Sequence, residues 1–337
     1  MLAGAWRRHP FPPPPISENE LDEITPLLQA GASAGLGWWR LRETKLADTA
    51  SGEVLRQALR LHSVQATLHE EKIKKVFRLL REASIEAVLA KGWVAASLYP
   101  ALPLRPYHDI DICVPPSDYQ SASEILSSPA ASDCWVDLHE QFSELRDRSV
   151  AELFARSRLV TLGEAEIRVM SAEDHLALLA IHFLKHGAWR AIWLCDIGAA
   201  VECLPAEFNW DVCLGRNRTR ASWIVCAIGL ANRLLGAKID GLPVAHKAMK
   251  LPDWLIESVL AQWANPFSVE QAPYSHPIPF AHYMRRPRGV LTGLSKRWPN
   301  PIKATVSVNG RFNALPRIPY QLGNCLQRTA KFLFRYS

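Results

Sequence analysis

Two aspartates, Asp109 and Asp111, lie one residue apart in an otherwise apolar run of the sequence, Asp109-Ile110-Asp111-Ile112-Cys113-Val114. Side chains at positions i and i+2 of a strand point to the same face, so the two carboxylates are predicted to lie side by side while the isoleucines anchor the strand in a core. Like charges held this close repel unless a cation neutralises them. Because Mg²⁺ ions that bridge a nucleotide triphosphate commonly occupy such all-oxygen sites, the pair predicts a site for metal and phosphate.

The alternative interpretation of an Asp-X-Asp pair is a solvated turn. A turn needs Gly, Pro, Asn or Ser close by, whereas these aspartates are interleaved with Ile and Cys, and Pro115-Pro116 follows only after Val114. The context therefore favours a strand that ends in a loop, and with it the metal site.

A third carboxylate, Asp137, lies in a second apolar run of strand character, Cys134-Trp135-Val136-Asp137-Leu138-His139. The segment between the two runs, residues 117–127, is predicted to form one short helix. His139 lies two residues after Asp137, so it is expected on the same strand face, where it can hydrogen-bond a phosphate or a metal-bound water.

A strand, a glycine turn and a helix are predicted upstream of the aspartates. Residues 85–89 form a short apolar strand, and Lys91-Gly92 ends it and opens a helix that reaches Tyr99. In this geometry backbone N–H groups can face a phosphate. An amphipathic helix over residues 70–82 precedes the strand, because apolar residues recur there at helical spacing: Ile73, Val76, Phe77 and Leu80.

Together with motifs further along the chain, these features resemble the uncharacterised nucleotidyltransferase family of the polymerase-beta-like superfamily. The motifs that carry the resemblance, over roughly residues 63–204, are Lys91-Gly92-Trp93, Leu98-Tyr99-Pro100, Arg105, Asp109-Ile110-Asp111, Val136-Asp137-Leu138-His139, Ser171-Ala172-Glu173-Asp174-His175-Leu176 and His182-Phe183-Leu184-Lys185-His186. The resemblance implies an α+β fold, a small mixed-sheet nucleotidyltransferase core flanked by N-terminal helices and a C-terminal helical domain. It also implies that a nucleoside monophosphate moves from a nucleoside triphosphate donor to an acceptor while pyrophosphate leaves.

By the same resemblance, Asp109, Asp111 and Asp137 are expected to be the catalytic carboxylates and to hold two Mg²⁺ ions. Asp137, nearest the acceptor by family analogy, is expected to accept its proton as well. Gly92 is expected to supply a close backbone approach to phosphate.

The chain departs from the superfamily pattern at Trp93, which stands where the broader superfamily has a serine that contacts phosphate. Trp93 is kept among the expected nucleotide-binding residues, and Lys91 or Ser97 is expected to replace the contact of the serine. Arg105 either contacts phosphate or pairs with Asp109, and the sequence leaves both interpretations open.

A second constellation occupies the helical half, where six residues share one stripe if the helix continues unbroken past Gly187: His175, His182, His186, Trp189, Trp193 and Asp196. The pair His182 and His186, at i and i+4, can bind zinc, but an acidic third ligand and a general-base glutamate are missing from the segment. Zinc is therefore not expected. His182, Lys185 or His186 is expected to face the nucleotide phosphates, with a structural packing role as the alternative.

Length and composition are ordinary for a globular protein: 337 residues, of which 48% are apolar and 21% charged. The seven cysteines include no Cys-X-X-Cys pair, so neither a disulfide framework nor a thiolate zinc site is predicted. The sequence lacks a signal peptide pattern and an apolar run long enough to span a membrane, which favours a cytoplasmic location.

Five segments are predicted: a flexible Pro-rich leader (1–16), an N-terminal helical segment (17–66), the nucleotidyltransferase core (67–172), a helical domain (173–284) and a basic irregular tail (285–337) with one helix over residues 320–334.

Positive charge is concentrated in that tail, which has eleven Lys or Arg and no Asp or Glu from Arg285 onward. RNA or an anionic surface is a candidate partner for it. A small hydroxyl or phosphate compound, such as a sugar or metabolite, is the favoured acceptor, and tRNA or a protein is the alternative. Two further alternatives are a member of the family that binds a nucleotide or partner without catalysis, and a scaffold.

Overall fold

The computed structural model describes residues 1–264 and 298–333, which form one five-stranded mixed sheet and fourteen α-helices. This confirms the α+β class predicted from the sequence. The strands are β1 (Val88–Ala90), β2 (Ile110–Cys113), β3 (Val136–His139), β4 (Arg158–Leu162) and β5 (Ala165–Val169).

The sheet has the order β3-β2-β1-β5-β4. Strands β2 and β3 run parallel, as do β1 and β5, whereas β1 pairs antiparallel with β2 and β4 pairs antiparallel with β5. The parallel pairing of β2 with β3 needs a crossover, which the helix over Tyr119–Leu126 provides. The predicted helix between the two aspartate strands is thus present, and it brings the strands side by side.

Strand β2 separates two hydrophobic clusters. Ile110 and Ile112 belong to a cluster on one face of the sheet, together with Phe77 from the long N-terminal helix. Cys113 belongs to the larger cluster on the other face, which contains most of the C-terminal helices. Because side chains alternate along a strand, Asp111 lies on the same face as Cys113, toward the helical half.

The N-terminal helices are α1 (Glu18–Ala30), α2 (Ala34–Leu41) and α3 (Ala50–Glu82). Helix α3 has 33 residues and spans about 50 Å. It therefore continues through the boundary near residue 66 at which the sequence analysis divided two segments. The sequence explains this, because no Pro or Gly interrupts it between Glu53 and Glu82.

The first residues pack against the helical half, unlike the flexible leader that the proline run predicts. Ala5 and Trp6 are buried in the larger cluster. The Trp6 indole lies so close to Gly198 that a Cβ atom there would be 2.7 Å from it. Arg7 pairs with Glu202, and these contacts hold the segment in place.

The core and the helical half are built from nine more helices: α4 (Gly92–Ala96), α5 (Tyr119–Leu126), α6 (Val150–Arg156), α7 (Ala172–Lys185), α8 (Ala191–Glu202), α9 (Trp210–Leu214), α10 (Arg218–Leu235), α11 (Ala245–Ala248) and α12 (Asp253–Ala264). Ser171 caps α7 by accepting a hydrogen bond from the backbone N–H of Asp174, as its spacing predicts. The helix ends after Lys185, because Gly187 and Ala188 have φ angles of 78° and 62°. The unbroken helix past Gly187 is therefore absent.

Two helices, α13 (Pro301–Ser307) and α14 (Ile318–Leu333), lie in the segment predicted as an irregular basic tail. Ile302 of α13 is buried in the larger cluster, and the Asn300 side chain donates a hydrogen bond to the Gly187 carbonyl. The part of the tail around α13 thus packs on the helical half, and α14 matches the helix predicted over residues 320–334. Residues 265–297, which include the end of the predicted helical domain and the start of the predicted tail, lie outside the described residues.

Within the described ranges, none of the helices combines the length and the apolar character needed to cross a lipid bilayer.

Candidate active site

Asp111 and Asp137 are directly opposite each other on β2 and β3. In a parallel pair, residues opposite each other present their side chains on the same face, about 4.8 Å apart. Asp111 is buried, with 2% of its side chain exposed, whereas 55% of the Asp137 side chain is exposed. The pair therefore has one carboxylate inside the protein and one open to solvent.

Lys91 neutralises the buried carboxylate. Its Nζ atom lies 2.6 Å from Asp111 Oδ1. Burial disfavours the charged form of Lys91 and would lower its pKa. The attraction of the Asp111 carboxylate is stronger than this effect, so the pKa of Lys91 is raised. For Asp111 likewise, contacts with His139 and Lys91 outweigh burial and hold its pKa below the usual value. Lys91 has a φ of 48°, a conformation that is costly for a residue with a side chain and that the turn from β1 into α4 maintains.

His139 completes the group. Its Nε2 atom lies 3.1 Å from Asp137 Oδ2 and 3.5 Å from Asp111 Oδ1. Neither contact has hydrogen-bond geometry, so Nε2 is a buried polar atom without a directed partner. Burial would lower the pKa of His139, but the two carboxylates raise it to about 9. Donor atoms of Asp111, Asp137 and His139 all lie within 4.8 Å of one another.

These three residues fit a divalent cation. Two carboxylates supply the oxygen ligands that Mg²⁺ prefers, and an imidazole nitrogen without a directed partner adjoins them. The Lys91 ammonium group supplies positive charge to Asp111 at the place where a metal ion would supply it. Asp109 is not part of this group: it is exposed and precedes β2 rather than lying in it.

A cavity of about 100 Å³ lies on the Lys91 side of Asp111, between the sheet and helices α7 and α8. The charged and polar groups that line it are Lys91, Arg105, His108, Asp109, Asp111, His182 and Arg190. Two larger cavities, of about 310 and 460 Å³, contain none of the candidate carboxylates. Of these three cavities, the small one is therefore the one that Asp111 lines, whereas Asp137 is not among its lining residues.

The paired carboxylates on adjacent strands and the glycine turn beside them agree with the comparison of the chain with known families. A family model described as an uncharacterised nucleotidyltransferase matches residues 17–236. The chain belongs to this nucleotidyltransferase family. No curated protein and no solved structure matched the chain.

Arg105 pairs with Asp196 rather than with Asp109, the carboxylate that the sequence suggested as one of two alternatives. Its guanidinium group is buried and donates three hydrogen bonds to Asp196 of α8, at 2.7 to 3.1 Å. Tyr99 donates a further hydrogen bond to the same carboxylate. Arg105 therefore ties the loop before β2 to the helical half, although one side of it also lines the cavity.

The residues of the glycine turn, Gly92 and Trp93, lie on different sides of the sheet, one at the cavity and one in the apolar core. Gly92 lines the cavity, and a Cβ atom on it would lie 3.2 Å from the Asp109 carbonyl, so glycine allows the close approach of these two segments. Trp93 packs against the apolar cluster on the other face of the sheet and donates a hydrogen bond to Glu70. Ser97 is exposed, and its hydroxyl donates to the Val94 carbonyl. Neither Trp93 nor Ser97 lines the cavity.

The histidine stripe is anchored by a residue that the sequence analysis missed. Glu144 is buried, and its Oε1 atom lies 3.4 Å from His182 Nδ1 and 2.9 Å from Lys185 Nζ. Burial opposes the charge, but His182 and Lys185 hold the pKa of Glu144 well below its usual value. Glu144, His182 and His186 offer donor atoms within 4.8 Å of one another, so the acidic third ligand absent from the sequence motif is present in space. Lys185 already neutralises Glu144. Of His182, Lys185 and His186, which the sequence predicts to face the nucleotide phosphates, only His182 lines the small cavity.

Arg190 is the other residue that sequence reasoning missed. It occupies the N-cap position of α8, where its side chain makes no capping hydrogen bond, and it lines the cavity. In the sequence Arg190 lies between Trp189 and Trp193 of the histidine stripe, and this position could have indicated that it belongs to the site.

Proposed function

We propose that the protein is a Mg²⁺-dependent nucleotidyltransferase that moves a nucleoside monophosphate from a nucleoside triphosphate to a hydroxyl or phosphate acceptor. The observation that carries the proposal is the direct pairing of Asp111 with Asp137 on parallel strands, beside the small cavity that Lys91 and Gly92 line. Membership of the nucleotidyltransferase family supports it.

In the proposed reaction an acceptor oxygen forms a bond to the α-phosphorus of the nucleotide. The bond between that phosphorus and the oxygen bridging to the β-phosphorus breaks, and pyrophosphate leaves with the electron pair. The proton of an acceptor hydroxyl passes to Asp137, whose exposed carboxylate can be reached from solvent. Magnesium, when bound by these carboxylates, supplies the positive charge that aligns the reactants and offsets charge on the phosphorus.

The protein's own residues have distinct roles in this scheme. Asp111 and Asp137 would hold the cation, and Asp109 lines the small cavity beside Asp111. His139 lies against both strand carboxylates and positions them. Lys91 stabilises Asp111 before substrate binds and faces the phosphates from the cavity.

We favour a small acceptor over a macromolecule, and over a non-catalytic role. Trp93, which stands where the superfamily has a serine, packs on the other face of the sheet and not in the cavity. The larger side chain therefore does not fill the cavity beside Asp111, which favours a catalytic role. The basic tail supports tRNA or protein as the alternative acceptor, because its charge can hold a polyanion or an anionic surface. RNA binding through the tail predicts an affinity that falls steeply with added salt.

The experiment incubates the full chain with each α-labelled nucleoside triphosphate and Mg²⁺, separately with small-molecule extract, RNA or protein. Label found in one acceptor class, with release of one pyrophosphate per label, supports the proposal and identifies that class. Binding of nucleotide without release of pyrophosphate in any arm would contradict transfer and favour the non-catalytic alternative. Absence of any thermal stabilisation by triphosphate with Mg²⁺ would favour a scaffold.

A further inference from the structure

Three cationic side chains line the cavity beside Asp111, and two of them already have acidic partners. Lys91 is paired with Asp111, and Arg105 is paired with Asp196. Arg190 is the third, and among residues 1–264 and 298–333 no carboxylate lies within ion-pair distance of it. The cavity therefore contains one cation that the described part of the protein does not neutralise.

The side chain of Arg190 is held in place despite the absence of a partner. Its guanidinium carbon lies 4.7 Å from the centre of the Trp189 ring and 5.3 Å from that of Trp193. The Nε atom is buried, and within the described part of the chain it has no hydrogen-bond partner. Stacking on aromatic rings fixes an arginine while leaving its N–H groups free to bind a ligand.

Electrostatics at this position favour an anion. Burial, and to a lesser extent the charge of Arg105, lower the pKa of Arg190, and the smaller effect of Asp109 only partly offsets them. A buried unpaired charge is unfavourable, and a bound anion would relieve it. A planar guanidinium group can donate two parallel hydrogen bonds to a phosphate.

We infer that Arg190, together with Lys91, forms a polyphosphate subsite that binds the terminal phosphates of the nucleotide and then the pyrophosphate product. The inference rests on the proposed function, because it names the ligand of that same cavity. A volume of about 100 Å³ is well below the range of about 300 to 1,000 Å³ typical of pockets for drug-sized ligands, so the cavity suits a compact anion rather than a nucleoside. Two cationic side chains in a cavity that Asp111 also lines suit a ligand with adjacent phosphates better than a ligand with a single carboxylate.

The test measures binding of pyrophosphate and of inorganic tripolyphosphate to the full chain by calorimetry with Mg²⁺. Arg190→Gln is expected to weaken tripolyphosphate binding by about 10- to 100-fold, because it removes charge-assisted hydrogen bonds, and Arg190→Lys by less. Arg42→Gln is the matched control, since Arg42 stacks on Trp39 outside the cavity, and it should leave binding within about twofold. If Arg190→Gln does not fold, the same comparison is made with Arg190→Lys.

Two results would overturn the subsite: wild-type protein that binds neither anion, or an Arg190→Gln protein that folds and binds tripolyphosphate as tightly as wild type. Failure of the subsite and failure of the proposed function are distinguishable. Wild-type protein that transfers label, combined with unchanged anion binding and an unchanged KM for nucleotide in Arg190→Gln, would reject the subsite alone. Polyphosphate binding that depends on Arg190, without any label transfer, would reject the function alone.

Discussion

Asp111 and Asp137 are direct partners across the parallel strands β2 and β3, although a helix separates them in the sequence. The pairing holds two carboxylates at the same level of the sheet and on the same face. One is buried against Lys91 and the other is open to solvent, so a cation between them has a fixed ligand and an accessible side.

Replacement of Lys91 should destabilise the protein and make its stability depend more strongly on Mg²⁺. Lys91→Met leaves the Asp111 carboxylate buried without its cation, and loss of one partner from a buried pair costs about 3 kcal/mol of unfolding free energy. Urea unfolding with and without Mg²⁺ measures the effect. We expect Mg²⁺ to restore more stability to Lys91→Met than it adds to wild type, because the ion takes over the neutralisation of Asp111.

The matched control is Lys75→Met. Lys75 pairs with Asp133 at the same distance of 2.6 Å, but the two side chains are 33% and 56% exposed. Loss of an exposed pair costs less than about 1 kcal/mol. Equal losses for the two lysine variants, or no difference in their response to Mg²⁺, would contradict the role of Lys91.

Arg105 and Asp196 should behave as a structural pair rather than as phosphate ligands. Both are buried, so Arg105→Gln or Asp196→Asn alone should lower the unfolding free energy by about 3 to 5 kcal/mol. The double variant Arg105→Gln with Asp196→Asn should cost much less than the sum of the two losses, because neither charge is left unpaired. Urea unfolding of wild type, the two single variants and the double variant forms a double-mutant cycle, and strictly additive losses would contradict the pairing.

Stability should fall in acid through His175 of α7. Its side chain is buried, and burial, with a smaller contribution from Arg105, lowers its pKa to about 3, whereas an unfolded histidine has a pKa of about 6.5. Below pH 6.5 His175 becomes protonated in the unfolded chain but stays neutral in the folded protein. Its contribution to the free energy of unfolding is therefore fully present above pH 6.5 and declines as the pH falls toward 3. The loss approaches about 1.4 kcal/mol per pH unit.

His175→Gln isolates this contribution, because glutamine does not titrate and the remaining histidines are common to both proteins. The difference in unfolding free energy between wild type and His175→Gln, measured by urea unfolding, should shift in favour of the variant as the pH falls from 7 to 4.5. Parallel curves for the two proteins across this range would contradict the prediction.

The sequence predicts the parts of the site that depend on local pattern. Alternation of aspartate with isoleucine places Asp111 and Ile112 on opposite faces of one strand, and the short helix between this strand and that of Asp137 is also predicted. The capped start of α7 at Ser171 follows from spacing in the same way. Asp109 was predicted to share the strand with Asp111, but the strand begins one residue after it.

The parts that pattern misses depend on tertiary contacts. Arg105 takes Asp196 as its partner and His182 takes Glu144, and no local spacing links either pair. Residues of the histidine stripe lie close together even though the helix that carries His182 ends at Lys185. After the break at Gly187, α8 packs against α7 so that the Trp193 ring lies 4.8 Å from the His182 ring, centre to centre. The spacing of residues in one helix cannot predict this contact, because it depends on how two helices pack.

The most direct test of the account is Mg²⁺-dependent transfer of α-label by wild type and by three aspartate variants, with the acceptor class identified for wild type. Asp111→Asn and Asp137→Asn should remove all measurable transfer while the proteins remain folded, because each removes one of the two paired ligands. Asp133→Asn, an exposed aspartate just before β3, should transfer label at the wild-type rate. Near-normal transfer by either Asp111→Asn or Asp137→Asn would contradict the assignment of the active site to this pair.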